Sequence, residues 1–416
     1  MQNRLVPLKE ICNFVNGDRS NNYPKKSEFT KLGIPFISSQ HLIDGKVDLL
    51  NVDKINEIAF SRLRSGKTQK GDLVLCIRGS IGKNAFITFD RGAIASSLVI
   101  IRPKGGMALL EYLYYCINSN FFIKQLKNFD NGSVQGNLSV SLLKEILIPD
   151  QSLSAQLEIT TLLRNIDKKI ELNNKINSEL ESLAKTIYDY WFVQFDFLDE
   201  NGKPYKSSGG KMVWNDELKR EIPEGWEVMK LDSIESNIVT GKTPSTNDKS
   251  NFGNDVPFIC IGDVRGHMHI IKTELKLSKV GADSQKNKYI PSGSICVTCI
   301  ATPGLVGFTT ENSQTNQQLN TIVCEKFENR YYLYFYFRDY FKYAKAKTGN
   351  TFANMNKEDF SSILVLKPNS ELLKTFSNKI NPFIEKVLIN SKENEKLTEL
   401  RDWLIPLLMN GQVVIK

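Results

Sequence analysis

The feature that most constrains this chain is that it is written twice. Gly132/Gly349 and Asn137/Asn354 share an offset of 217 residues, and Leu143/Phe360, Ile146/Ile363, Ile159/Phe376, Leu163/Ile380, Ile170/Val387, Asn173/Asn390, Leu180/Leu397 and Leu183/Leu400 keep it. Upstream, "IPFIS" (residues 34–38) matches "VPFIC" (256–260) at 222, as do Gly71/Gly293 and Gly82/Gly304, while Tyr112/Tyr332 and Phe121/Phe341 sit at 220. Offsets that hold within blocks and step only between them are what loop insertions leave in a tandem duplication, and such a period fixes the architecture before any element is assigned.

Each copy has two parts. The first mixes strand-like runs ("DLVLCI", "SLVIIRP", "SGSICVTCI") with an aromatic helix and Gly-rich turns, the pattern of a compact α/β or α+β domain. The second is a long helix: residues 152–190 contain no Pro or Gly, and apolar residues fall at Ile159, Leu163, Ile166 and Ile170, then Ile176, Leu180, Leu183 and Ile187. Steps of 4, 3, 4, repeated, are a heptad seam, continued in the second copy by Phe376, Ile380, Val387, Leu397, Leu400 and Leu404. The half-seams are separated by a gap of six with Asn173 at its middle, which reads as a stammer. Asn173 and Asn390 then either set register within the seam or face water where it slips. Pro382 should kink the second helix or delay its start, at about 3 kcal/mol if interior. The expected boundaries are 1–150 and 223–368 for the two domains, 151–195 and 369–410 for the helices, and 196–222 for a Gly/Ser/Pro-rich connector anchored by Trp214 and Trp226.

Composition excludes several classes. With 41% hydrophobic and 24% charged residues the chain is globular rather than disordered. No apolar run reaches the roughly 18 residues of a spanning helix, and "MQNRLVPLKE" lacks a signal-peptide core, so no membrane and a cytoplasmic location are expected. Seven cysteines without framework spacing suggest reduced thiols. Net charge is +8, concentrated in residues 1–150, where 20 Lys and Arg oppose 13 Asp and Glu; residues 223–368 hold 17 against 15. A basic first half fits a polyanionic partner such as nucleic acid.

On the duplicated layout, on the connector "GKPYKSSGGKMVWNDELKREIPEGWEV" and on the blocks "VPFICIGDV", "KGDLVLCIRGSIGK" and "LLRNIDKKIELNNKINSELESLAKTIYDYWF", the whole chain resembles the specificity subunits of type I restriction-modification enzymes. The resemblance implies two target-recognition domains, each reading half of a split double-stranded DNA site, related by a pseudo-twofold. It also implies that the long helices form an antiparallel coiled coil that spaces the domains and docks two methyltransferase subunits, with a restriction (motor-nuclease) subunit needed for cleavage. The chain itself is then expected to bind no cofactor, S-adenosylmethionine, ATP and Mg belonging to partner subunits. The long helices alone would equally suit a scaffold that binds only protein.

No catalytic site is expected. The nearest string to a methyltransferase Asn/Asp-Pro-Pro-aromatic loop, "NPFI" (381–384), lacks the second proline, and only His41, His267 and His269 are available as histidines. Cys296 and Cys299 form C-x-x-C and could join His267 and His269 around zinc, but "SICVTCI" reads as a buried strand and the first copy has Val74 and Ile77 there, so no metal is expected. DNA contacts are expected elsewhere. In "RGSIGK" (78–83), Gly79 and Gly82 let backbone approach a phosphate and Ser80 adds a hydroxyl. Arg78 and Lys83 supply charge, and Arg78 has a bidentate reach to guanine; a plain turn with solvated charges is the alternative. The second copy's "ATPGLVG" (301–307) loses both cations, leaving backbone and Thr302. Gln40, His41, Asp263, Arg265 and His267 follow the "PFI" strands and carry base-edge donors and acceptors, and Gln317 and Gln318 in "NQQLN" could read adenine. Arg62, Arg64 and Lys67 in "RLRSGKTQK" either neutralise phosphates or lie in a solvated loop. "YYLYFYFRDYF" (331–341) has the spacing of a core helix rather than a base-stacking platform, and the paired loops "GSVQGNL" and "GNTFANM" are expected to share one job, a phosphate contact or a hinge.

Overall fold

The computed structural model describes residues 4–19, 21–105, 107–130, 138–348 and 355–413. It divides into two units, residues 1–169 with 396–416, and residues 170–395, and the division falls inside both long helices. The paired loops at residues 131–137 and 349–354 lie outside the described residues, so only their ends, Leu138 and Met355, are placed.

In the first unit, Val-, Ile- and Leu-rich segments form two four-stranded sheets. One orders Cys12–Asn16, Leu98–Pro103, Leu73–Cys76 and Asn84–Phe86; the other orders Asp53–Ile55, Phe29–Ile37, Gly92–Ile94 and Lys67–Thr68. "LVLC" at Leu73–Cys76 is buried on both faces, which is why it reads as an uninterrupted apolar run rather than an alternation. The second unit repeats the plan with a five-stranded sheet (Ile238–Thr240, Leu319–Ile322, Ile295–Thr298, Val306–Thr309, His269–Ile270) and a three-stranded one (Leu275–Leu277, Phe252–Ile259, Gln314–Thr315).

The duplication reaches individual hydrogen bonds. Phe29 and Ile34 both face Ile55 across a bulge, and Phe252 and Val256 both face Leu277. Leu8 N donates to Ile146 O, and Leu231 N to Ile363 O, at 2.9 Å in each copy. The hydroxyl of Tyr112 donates to Pro149 O and that of Tyr332 to Leu366 O. Short helices begin on matched caps, Asn56 with Ser278 and Ser139 with Asn356, each side-chain oxygen accepting a backbone N–H three residues on. The aromatic segment differs: it is one helix in the second copy, Phe327–Thr348, but two in the first, Leu110–Ile117 and Asn120–Asp130. Tyr331, Tyr332, Tyr334, Phe335, Phe337 and Phe341 are buried, so this segment is core.

The long helices run over Leu153–Tyr188, followed by a π-helical turn at Asp189–Val193, and over Ser370–Met409. Within each unit they pair antiparallel: Arg401 bonds Asp167 at 2.8 Å in the first unit, and Asn173 bonds Asn394 at 2.9 Å in the second. Ile159, Leu163, Ile166, Phe376, Ile380 and Val387 are buried, and Ile170, Ile176, Leu180, Ile187, Leu397 and Leu404 are half-buried. Three expectations are corrected here. The seam has no stammer, because the 4-3 alternation continues from Ile170 through Asn173 (1% exposed) and Asn177 (8%) to Leu180 and Ala184. Leu183 and Leu400, 45% and 43% exposed, lie off it, their places being taken by Ala184 and Arg401. Pro382 is exposed within a continuous helix that has already begun at Ser370, so it does not delay the start.

The polar centre of the seam is a set of amide hydrogen bonds running between the two helices. Asn173 donates to Asn394 and Glu393, Asn390 to Asn177, Asn177 to Ser391, and Asn394 to Asn174. At the 217-residue offset, Asn173–Asn394 is the mirror of Asn390–Asn177, and Asn177–Ser391 that of Asn394–Asn174. Neither Asn173 nor Asn390 faces water.

The connector is not a free linker. Met212–Asn215 and Arg220–Pro223 form a hairpin, and Phe197 stacks on Tyr205 and on Trp226 at centroid distances of 4.7 and 5.4 Å. Trp226 anchors it as expected, at 6% exposure, whereas Trp214 is 61% exposed on the hairpin and its indole N–H donates to the neighbouring Asp216.

Candidate nucleic-acid interface

Backbone hydrogen bonds gather four turns at one edge of each domain. In the first copy Gly17 N donates to Leu98 O, Ile77 N to Ser97 O, Ala95 N to Ile37 O and Leu138 N to Ile77 O. In the second, Gly241 N donates to Leu319 O, Cys299 N to Gln318 O, Asn316 N to Ile259 O and Met355 N to Cys299 O. Gly17 and Gly241 are required here: a Cβ would lie 2.3 Å from Ala95 O in one copy and 2.1 Å from Asn316 O in the other.

The turn after the central strand is the same in both copies. Cys76 N donates to Lys83 O and Gly82 N to Cys76 O, as Thr298 N does to Leu305 O and Gly304 N to Thr298 O. Gly79 and Gly82 hold φ of 74° and 94°; the second copy holds 62° and 90° with Ala301 and Gly304, placing an alanine where the left-handed region favours glycine.

On this common backbone the side chains differ. In the first copy Arg78, half-buried, and the exposed Arg19 line a cleft of about 460 Å³ with Asn16, Gly17, Asp18, Ser65, Ile77, Leu138, Ser139 and Val140. Partial desolvation and then the Arg78 guanidinium both lower the pKa of Arg19. Arg64 stands beside the cleft, its backbone N–H on Asp18 at 3.0 Å and its side chain exposed; Ser80 and Lys83 are exposed on the turn. In the second copy Ile300 stands in place of Arg78, Thr243 of Arg19, Lys242 of Asp18 and Thr302 of Ser80, and Gln317 and Gln318 replace Ser96 and Ser97. The Gln317 amide oxygen accepts from Thr243 at 2.6 Å, Gln318 accepts from Asn316 at 3.0 Å, and Thr302 is half-buried with its carbonyl accepting from Thr298. Exposed Gln40, Arg265 and His267 flank the segments after the "PFI" strands.

Several expected readers are occupied. His41 is 3% exposed and its Nδ1 accepts from Ser38 N at 3.1 Å; at the equivalent position Asp263 accepts from Cys260 N at 2.7 Å and from Glu274 N at 2.9 Å. Both side chains therefore cap a short helical turn. Gln40 also contacts His41 at 3.0 Å. Arg62 is held by Glu28 through two bonds of 2.7 and 2.6 Å, which draws the Glu28 carboxyl down to about 2, so its charge is spent internally. Lys67 reaches Ser61 O and lies over the Phe60 ring at 5.0 Å. Cys296 and Cys299 pack into different hydrophobic clusters and burial raises their thiols to about 12 and 11, so they do not form a chelating pair. Sequence reasoning missed Asn16, Asp18 and Arg19. The available signal was "NGDRS" against "TGKTP", a shared glycine followed by divergent polar residues.

Among the described residues no helix is long and apolar enough to cross a membrane. The chain matches the type I restriction modification DNA specificity domain twice, over residues 3–182 and 223–399. It is 31% identical to the type I restriction enzyme HindI specificity subunit of Haemophilus influenzae, over 95% of this chain and 98% of that one. It is 26% identical to the type I restriction enzyme MjaIX specificity subunit of Methanocaldococcus jannaschii, over 98% and 93%. A crystal structure of the type I restriction-modification S subunit from M. genitalium shares the fold at a TM-score of 0.55 and 16% identity, covering 98% of this chain and 96% of that one. With two copies of the specificity domain, each carrying the same four-turn edge, the chain belongs to the family of type I restriction-modification specificity subunits.

Proposed function

We propose that this chain is the non-catalytic DNA-recognition subunit of a type I restriction-modification complex. In this reading it takes a bipartite double-stranded target, one domain per half-site. Its long helices dock two methyltransferase subunits and, through them, restriction subunits where the system has them; S-adenosylmethionine, ATP and Mg are bound by those partners. The observation that carries the reading is the repeated edge: one backbone frame built twice and furnished differently, with Arg19 and Arg78 against Thr243 and Ile300, and Ser96 and Ser97 against Gln317 and Gln318. Two half-sites of different sequence call for this arrangement, since base edges are told apart by donor and acceptor pattern. Arg19 and Arg78, which bond no carboxylate among the described residues, supply the phosphate attraction on which any such reading depends.

The test is selection from random duplex pools by the full chain with its methyltransferase subunits. Two short motifs separated by an unread spacer are expected. A pool that stays random at salt below about 50 mM, where phosphate contacts are strongest, overturns the reading.

A further inference from the structure

Residues 1–150 contain seven arginines, and they fall into two groups. Arg62 is paired with Glu28, Arg91 with Glu57 and Arg102 with Asp72. Among the described residues, Arg4, Arg19, Arg64 and Arg78 form no side-chain ion pair or hydrogen bond, and of these Arg19 and Arg78 line the cleft while Arg64 adjoins it through Ser65. Two guanidiniums that repel each other at one opening, with no carboxylate bonded to either among the described residues, leave their donors open to an entering acceptor.

The cleft restricts which acceptor. Arg78 is half-buried and lines the cleft with Ile77, Leu138 and Val140, whereas Lys83 on the same turn is exposed. A planar fork in a walled cleft suits a planar pair of acceptors, and guanine O6 and N7 are that pair in the major groove. At the equivalent positions the second copy has Ile300 for Arg78 and Thr243 for Arg19, so it lacks the fork. We infer that the first domain reads a guanine through Arg78, with Arg19 as the adjoining cation, and that this cleft makes guanine a requirement of the first half-site alone. The inference rests on the DNA-reading function above and adds which base is read, by which residue, in which half.

The experiment repeats the pool selection with wild type, Arg78→Lys and Arg78→Ala. Lysine keeps the charge and loses the fork. Arg78 has no internal partner to strand, so folding is expected to be unaffected, and thermal unfolding of each variant checks this. The expected result is that both variants lose preference for guanine at one position, by roughly 5- to 150-fold, with the other half-site unchanged. If Arg78→Lys keeps the wild-type preferences and Arg78→Ala weakens binding to every sequence alike with a shallower salt slope, Arg78 is a phosphate contact and the inference is overturned. It is equally overturned if the wild-type motif has no guanine in either half, or if the altered position lies in the half-site read by the second domain, while a random wild-type pool removes the DNA-reading function itself.

Discussion

Replacing Asn177 by leucine tests whether the polar centre of the coiled coil is a coupled network or a set of independent contacts. Asn390 is 1% exposed and donates to Asn177 at 2.9 Å; its own amide oxygen is buried without a partner among the described residues. Asn177→Leu strands that donor at a cost of about 1–3 kcal/mol. The 3.3 Å contact from Asn177 to Ser391 adds little, because Ser391 is only half-buried. Asn177→Leu/Asn390→Leu strands nothing and places two apolar side chains together, so most of the loss should return; replacing both partners of a buried polar pair is often close to neutral. The expected interaction energy is thus about 1–3 kcal/mol, of sign opposite to the single losses. Native-state hydrogen exchange of peptides covering residues 166–180 and 384–397 measures local opening without requiring the whole chain to unfold in one step. Losses that simply add, or an Asn177→Leu protein that exchanges like wild type, would refute the network.

Three further outcomes follow from the same geometry. Because Arg62 holds the Glu28 carboxyl at about 2, below its unfolded value, the pair stabilises fully above the unfolded carboxylate range and loses its contribution as pH falls toward 2. Glu28→Gln should therefore lower the thermal midpoint at pH 6 and leave it unchanged near pH 2, and equal effects at both would sink the pairing. Ala301→Gly should raise stability by about 0.5–1 kcal/mol in thermal unfolding, the left-handed penalty of alanine less the extra entropy of glycine; no rise would mean φ of 62° carries no strain. Inserting one heptad into each long helix, with the 4-3 seam preserved, adds about 10 Å per helix and should lengthen the unread spacer by roughly 3 base pairs. Pool selection reads this, and altered half-sites would count against the helices as spacers.

What the residues disclosed depended on whether the information was periodic. Constant offsets of 217 and 222 translate into matched bulges, caps and strand-end bonds, because an equal spacing leaves two copies the same hydrogen-bond ladder. Apolarity does not mark the centre of the seam: Asn173 and Asn177 occupy seam positions, and only their partners, more than 200 residues away, distinguish them from surface amides. It also favours Leu183 over Ala184, although the helix buries the smaller residue. In the candidate site, Arg62 and Arg64 are the same residue type two positions apart, yet Glu28 occupies one and leaves the other facing solvent. His41 and Asp263 looked like base readers because capping side chains and base-reading side chains are drawn from the same polar set.

The turns at the repeated edge share one set of main-chain hydrogen bonds in both copies. In both copies the bonds running through residues 17, 77, 82 and 95 and their counterparts use N–H and carbonyl groups that any residue except proline supplies, with glycine demanded only at the tightest approaches. Exchanging Arg78 for isoleucine or Arg19 for threonine has left that frame standing, as the second copy demonstrates within the same molecule. On the proposed reading, folding and recognition draw on separate sets of atoms, and a lineage can drift toward a new target by surface replacements that leave the scaffold's stability almost untouched.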